Sequence, residues 1–260
     1  VLAELAAWLT TPFPRDARRL GYLSEQIAIR ARERRCRAAW AGHLAASREA
    51  MLAAAGPGGG LCVVAGAGLC LDVPLDGLAA RFRRVVLLDL GFLERGGPRN
   101  VERMPWDATG AVSAWARDPA MDDATALAAV SPTWPAGLPE PDLLVSASLL
   151  SQLHLRPLVW LQRRRPRGPD FAAALGQRCS QAHLAWLRRH ARRTLVIADR
   201  AQVARRRDGG EADREPTGTD GLGLGPPERT WTWRIAPAPE WDPVLDLEHE
   251  VGAWLTERCK

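Results

Sequence analysis

Residues 60–90, GLCVVAGAGLCLDVPLDGLAARFRRVVLLDL, constrain the fold more tightly than any other stretch of the chain. An apolar run from Leu61 to Ala65 meets the tight pair Gly66-Ala67-Gly68. A helix-like segment, Asp72 to Phe82, then leads to a second apolar run, Val85 to Leu88, which ends on Asp89. Strand, glycine turn, helix, strand and acid follow in the order of a βαβ unit that opens a nucleotide-binding sheet. Gly66 and Gly68 allow a sharp turn and leave no Cβ between the backbone and a ligand. An acid at the tip of the second strand can accept hydrogen bonds from both hydroxyls of a ribose, and about 20 residues separate it from the turn, as that geometry expects.

Around this unit the pattern alternates. Residues 1–57 read as a helical cap, with apolar positions at helical spacing between Leu23 and Ala55. Pro57 and Gly58-Gly59-Gly60 end it, and residues 58–260 read as one Rossmann-like domain. A third strand is expected over Asn100–Trp106, ending at Asp107, and helix over Ala111–Ala129, broken near Pro119. The continuous apolar run Asp142–Ser148 fits a strand buried on both faces. Helices are expected over Leu149–Arg163 and Phe171–Arg192, with a fifth strand, Thr194–Ala198, after them. Residues 204–228 are rich in Gly, Pro and charge and read as a loop. Trp231–Ala236 reads as a late antiparallel strand and Glu248–Arg258 as a final helix. The expected fold is α/β, a mostly parallel sheet with helices on both faces. Ligands of such sheets sit beyond the carboxyl ends of the strands, where Gly66, Asp89, Asp107 and Ser146 all fall.

Composition narrows the partners. With 260 residues, 47% hydrophobic and 25% charged, the chain is in the range of ordinary globular proteins, and no apolar run approaches membrane-spanning length. The segment VLAELAAWLTTPFP is too short and interrupted for a signal peptide. Of 35 basic residues only Lys260 is a lysine, a skew that follows a GC-rich genome more simply than nucleic-acid binding. Arg163-Arg-Arg-Pro-Arg167 carries no interleaved aromatic residue and reads as a solvated basic loop. Five scattered cysteines (Cys36, Cys62, Cys70, Cys179, Cys259) show no metal-ligand spacing, which points to reduced thiols in a cytoplasmic protein without a metal site.

Over residues 60–200 the sequence resembles the class I S-adenosylmethionine-dependent methyltransferases. V-V-A-G-A-G-L is similar to their glycine-rich first motif, L-L-D89 to the acidic second motif, W-D107-A to the third, D142-L-L-V-S-A-S to the fourth strand, and R-T-L-V-I-A-D199 to the fifth. The resemblance implies S-adenosylmethionine as cofactor. Gly66, Ala67, Gly68 and Ser146 would lie along it, Asp89 with Leu90 at the ribose, and Asp107 with Ala108 at the adenine. Ser148, Gln152, Trp233 and Glu240 are candidates for the acceptor side, and His154 for a base, since its unperturbed pKa is near neutral. The same positions also suit bland roles: Asp72 a helix cap, His154 a polar helix start, Trp231 and Trp233 packing.

The chain departs from the family at two points: Val64 stands where an acid is usual and Cys70 where a third glycine is common. These keep open a second reading, a catalytically inactive methyltransferase-like subunit for binding or assembly. A third, an NAD(P)-dependent oxidoreductase, requires a glycine where Leu71 stands. The Asn-Pro-Pro-Tyr-type motif of amino-methylating nucleic-acid enzymes is absent, so a small-molecule or peptide acceptor is expected rather than nucleic acid, and no membrane.

Overall fold

A computed structural model describes residues 2–94 and 96–258. Cys259 and Lys260 lie outside the described residues. Three helices open the chain, α1 (Leu2–Thr10), α2 (Arg15–Arg19) and the long α3 (Tyr22–Ala55). Strand β1 (Gly59–Ala65) follows, then the short helix α4 (Leu75–Ala79), β2 (Phe82–Asp89) and β3 (Val101–Pro105). Helices α5 (Val112–Arg117) and α6 (Asp123–Ala128) precede β4 (Leu143–Ala147). Helices α7 (Leu155–Gln162) and α8 (Pro169–His190) lead to β5 (Arg193–Arg206), β6 (Glu211–Pro216), β7 (Arg229–Ala236) and β8 (Leu245–Glu257).

The strands form one eight-stranded sheet in the order β3-β2-β1-β4-β5-β8-β7, with β6 pairing β5. β1 to β5 are mutually parallel. β8 runs against both β5 and β7, and β8 and β6 are reversed relative to the parallel set. The fold is therefore the expected Rossmann-like α/β arrangement. Alternation along each strand divides the core. Cys62, Val64, Val85, Leu87, Val145 and Ile197 face α3, while Val63, Ala65, Val86, Leu88, Leu144 and Val196 face the layer containing α8. A period of two with both faces apolar is what a sheet covered on both sides requires.

Helix α3 shows why its sequence packs there. Cys36, Trp40, His43, Ser47, Ala50, Met51 and Ala54 are all buried and recur three or four residues apart, one stripe of a helix. The stripe lies on the sheet, and Trp40 ties the helix to β7 through Nε1, which donates to the Ile235 carbonyl at 2.9 Å. In α8, Pro169 sits in the first turn and Arg188, Arg189 and His190 in the last, the order that suits helix ends.

Several local expectations are corrected. Glu248–Arg258 is not a helix but most of β8, which is hydrogen-bonded to β5 on one side and β7 on the other. Gly252 disfavours helix there and leaves room for the Trp254 ring, which packs 2.5 Å from where a Cβ would stand. The 204–228 loop is in large part ordered as the end of β5 and as β6. Its charges are paired, Arg205 with Glu248 on the neighbouring strand β8 at 2.8 Å, and Asp220 of a short 3-10 turn with Arg200 of β5 at 2.9 Å. The helix expected over Asp72–Phe82 shrinks to α4, because Pro74 forms its N-cap and β2 already begins at Phe82. Arg167 is no solvated charge: its side chain is buried, Nη1 bonds Asp123 at 2.8 Å, and the guanidinium stacks 4.4 Å above the Phe171 ring. Cys36, Cys62, Cys70 and Cys179 are free thiols. Among the described residues no helix is long and apolar enough to cross a membrane.

Met51, fully buried between α3 and the sheet, offers a measure of this packing. Met51→Ala should lower stability by about 2–5 kcal/mol in urea denaturation. A loss within experimental error would mean that α3 does not carry its weight on the sheet.

Candidate functional site

A cleft of about 440 Å³ runs across the carboxyl ends of the strands. Its floor is the turn after β1. Gly66 has φ +81° and Gly68 φ +44°, both left-handed, and the Gly66 N–H donates to the Leu88 carbonyl at 2.9 Å. A Cβ on Gly66 would lie 2.6 Å from the Ala147 carbonyl oxygen and 2.5 Å from the Leu149 side chain, so only glycine fits. On Gly68 the nearest atom would be Asp89 Oδ2, at 3.7 Å.

Asp89 ends β2 directly over this turn. Its Oδ2 accepts the Gly68 N–H at 2.8 Å, and its Oδ1 lies 3.3 Å from Gln26 Nε2, which also donates to the Gly91 carbonyl at 2.9 Å. Burial pushes the Asp89 carboxyl up to about 6, opposed by the backbone N–H groups that bond it. Asp107 follows β3. Its Oδ1 accepts from the Thr109 N–H (2.9 Å) and hydroxyl (2.7 Å), and its Oδ2 from the Val112 N–H (2.8 Å). It thus holds the start of α5 while bordering the cleft.

Of the sequence candidates, Gly66, Ala67, Gly68, Asp89, Leu90, Asp107, Ala108, Ser148, Gln152 and Trp233 come together around this one cleft. Three do not. Ser146 is fully buried within β4 on the far face, where its hydroxyl shares a hydrogen bond with His183 Nε2 at 2.9 Å. The side-chain alternation of a strand, one residue off the register of the cleft, places it there. His154 packs between α7 and α8, its ring 3.3 Å from where a Cβ of Gly176 would stand, and burial lowers its pKa. Glu240 ties the β7–β8 connection to α3 through Arg35 Nε at 3.0 Å and Arg32 at 3.5 Å. Asp72 forms no cap, since no side chain caps α4, and it borders the cleft instead. Val64 points into the core beneath α3 at 0% exposure, where an unpaired acid would be costly.

The cap supplies what the sequence did not single out: Tyr22, Glu25, Gln26, Trp40 and His43 of α3, joined by Arg156 of α7. The charge balance is acidic, with Glu25, Asp72, Asp89 and Asp107 against Arg156. Arg156 is itself engaged, through Nη2 to the Leu20 carbonyl at 3.0 Å and Nη1 to Glu25 at 3.5 Å. Two non-glycine residues are held in left-handed backbone, Ser148 (φ +52°) at the cleft and Cys70 (φ +55°) between the lining residues Leu69 and Leu71. Burial pushes the Cys70 thiol up to about 11, which leaves it unreactive. Two buried polar atoms beside the turn have no partner, Gln26 Oε1 and Ser148 Oγ.

The two glycines should respond differently to a methyl group. Gly66→Ala should cost about 2–4 kcal/mol from left-handed strain and overlap, and Gly68→Ala about 1 kcal/mol from strain alone. Equal costs in chemical denaturation would contradict the turn geometry. The raised carboxyl of Asp89 has a second consequence. Between the ordinary carboxylate range and about pH 6 the folded chain keeps a proton that the unfolded chain has released. Its stabilising contribution is thus complete below that window and lost as the pH rises through about 6. Asp89→Asn should raise stability at neutral pH by about 1–3 kcal/mol and flatten the thermal melting profile between pH 4 and 6; an unchanged profile would place the carboxyl in water. No protein-family model matches the chain, and none of the curated proteins compared with it matches its sequence.

Proposed function

We propose that the protein binds S-adenosylmethionine and transfers its methyl group to a small-molecule or peptide acceptor. The observation that carries this reading is the carboxylate of Asp89, poised at the end of β2 by the Gly68 N–H, in one cleft with Asp107 at the end of β3. The residues fit the cofactor in three further ways. The turn leaves open space beside Asp89, into which a Cβ on Gly68 would project. The acidic lining suits a ligand whose sulfonium and ammonium outweigh its single carboxylate. Gln26 Oε1 and Ser148 Oγ are buried beside the turn with bonds still to make.

In this reading Asp89 holds the ribose hydroxyls, Asp107 with Ala108 borders the adenine, and Gln26 keeps the Asp89 carboxylate oriented. The bound cofactor supplies an electrophilic methyl. The chain's own contribution is alignment and exclusion of water, which can suffice for transfer to a good nucleophile. No base is required of His154, which packs away from the cleft.

The oxidoreductase alternative is weakened by the same turn. A dinucleotide pyrophosphate rests on free N–H groups where the glycine turn opens a helix. Here the Gly68 N–H is already bonded to Asp89, and α4 begins only at Leu75.

Calorimetry with S-adenosylmethionine and S-adenosylhomocysteine tests the proposal. Saturable binding of both is expected, and binding of neither by the folded, full-length chain would overturn it. Asp89→Ala should weaken that binding by about 1–3 kcal/mol, and binding to the unaltered chain should weaken as the pH falls below about 6, where Asp89 takes up a proton. An unaffected affinity in the variant would show that the ribose lies elsewhere.

A further inference from the structure

The cleft has a second compartment that the cofactor reading leaves unused. The strand order sets β7 at the opposite edge of the sheet from β3, with β4 between them. Helix α3 reaches from one to the other: Gln26 lies near its start, and His43 stands within about 25 Å further along, beyond the kink at Cys36. The far compartment is formed by Trp40, His43 and Leu44 of α3 with Trp233 of β7.

One interaction fixes the chemistry of this compartment. Trp231 Nε1 donates to His43 Nδ1 at 3.0 Å. An indole nitrogen can only donate, so His43 Nδ1 must be unprotonated and the ring proton of the neutral imidazole must sit on Nε2. Burial reinforces neutrality by lowering the His43 pKa to about 4. The ring is clamped against Trp233, with centroids 4.1 Å apart and planes 9° from parallel, and Trp233 in turn packs edge-on to Trp40 at 4.9 Å. His43 Nε2 has no hydrogen-bond partner among the described residues, although the ring borders the cleft. Trp233 is 8% exposed, and its indole N–H is also unpartnered. The compartment therefore presents one unspent donor, His43 Nε2–H, between aromatic walls, with no charged side chain among the four residues that form it.

We infer that this compartment binds a small, uncharged aromatic molecule through a hydrogen-bond-accepting atom, a carbonyl oxygen or ring nitrogen, that takes the Nε2–H of His43. Aromatic walls favour a flat ring, a fixed donor selects an acceptor atom, and an anion would be desolvated there and repelled by the buried Asp199 carboxylate, whose field reaches His43. His43 is a specificity-determining residue in this arrangement. It cannot remove a proton through Nε2, because that nitrogen already carries one. That the ligand is the methyl acceptor rests on the cofactor reading above; the binding itself does not.

Quinoline and naphthalene, alike in shape and differing in one ring nitrogen, are the probes. In mildly alkaline buffer, calorimetry with the full-length protein and no cofactor should show quinoline binding roughly threefold to tenfold more tightly than naphthalene, the usual worth of one hydrogen bond. The anion 2-naphthoate should bind more weakly than either. His43→Phe should abolish the preference for quinoline. Trp231→Phe, which frees the imidazole to move its proton, should reduce it and serves where His43→Phe fails to fold. In the unaltered protein, nitrogen NMR of ¹⁵N-labelled histidine should show His43 protonated at Nε2. Equal affinity for quinoline and naphthalene, no binding of either, tighter binding of 2-naphthoate, or a proton on Nδ1 would each overturn the inference. Quinoline selectivity in a protein that binds no S-adenosylmethionine would sink the cofactor reading alone.

Discussion

The hydrogen bond between the Gly68 N–H and Asp89 couples the two parts of the molecule that define the cleft. It joins the turn after β1 to the tip of β2, and those strands are already locked side by side in parallel register. Because the turn needs left-handed backbone at Gly66 and Gly68, the carboxylate can approach the N–H without a Cβ intervening. Gln26 then completes the junction from above, bonding the carbonyl of Gly91 and lying within reach of Asp89 Oδ1. Sheet, turn and helical cap thus meet at one carboxylate. Its raised pKa is the electrostatic consequence of placing it there.

Helix α3 makes the cleft a cleft rather than an open sheet end. Its buried stripe anchors it to the face containing Val64 and Leu87, and its two halves wall two different compartments. This explains the departure at Val64. The position where the methyltransferase motif that the sequence resembles carries an acid is here part of the contact beneath the helix, so an apolar residue is what the packing demands. Cys70 has a comparable account. Its backbone is held at φ +55°, the region where glycine is most at ease, and the chain bears the strain with a cysteine instead.

How much of this could be read from the sequence depended on whether the signal was local. The glycine turn, the acid at the tip of β2 and the apolar run of β4 were legible, because periodicity and turn chemistry are properties of neighbouring residues. Residues 248–258 were misread as helix because Val251, Trp254 and Leu255 also fit a helical spacing. What decides for strand is the pairing with β5, some fifty residues away, which no local pattern contains. The charged stretch after Ala204 was misread for the same reason: its arginines look solvated until Glu248 and Glu250 arrive on β8. The candidate site divided along the same line. Asp89 and Asp107 sit on strand ends and were found, whereas Gln26 and His43 reach the cleft from a helix whose partners lie 63 and 188 residues away. The stripe Cys36, Trp40, His43, Ser47 carried the signal that one face is buried, but not that this face would border a cavity.

Several unfavourable terms of this structure gather at the cleft, while others, His183 Nδ1 and Trp186 Nε1 among them, lie elsewhere in the core. Ser148 and Cys70 hold left-handed backbone, Asp89 is desolvated, Gln26 Oε1 and Ser148 Oγ are buried without partners, and His43 has a donor unspent. Each costs on the order of 1–3 kcal/mol, so together they would consume much of the stability of an ordinary domain. The sheet offsets them: β8 pairs with β5 over thirteen register positions, and both faces of the central strands are largely apolar. Strain in one place and close packing in another is not what stability alone would select, because relieving Ser148 or pairing Gln26 needs only small local changes. Groups kept in costly states around a single cavity are groups whose missing partners come from outside the chain. Gln26, Ser148, Asp89 and His43 meet that description in the cleft that the strand ends define.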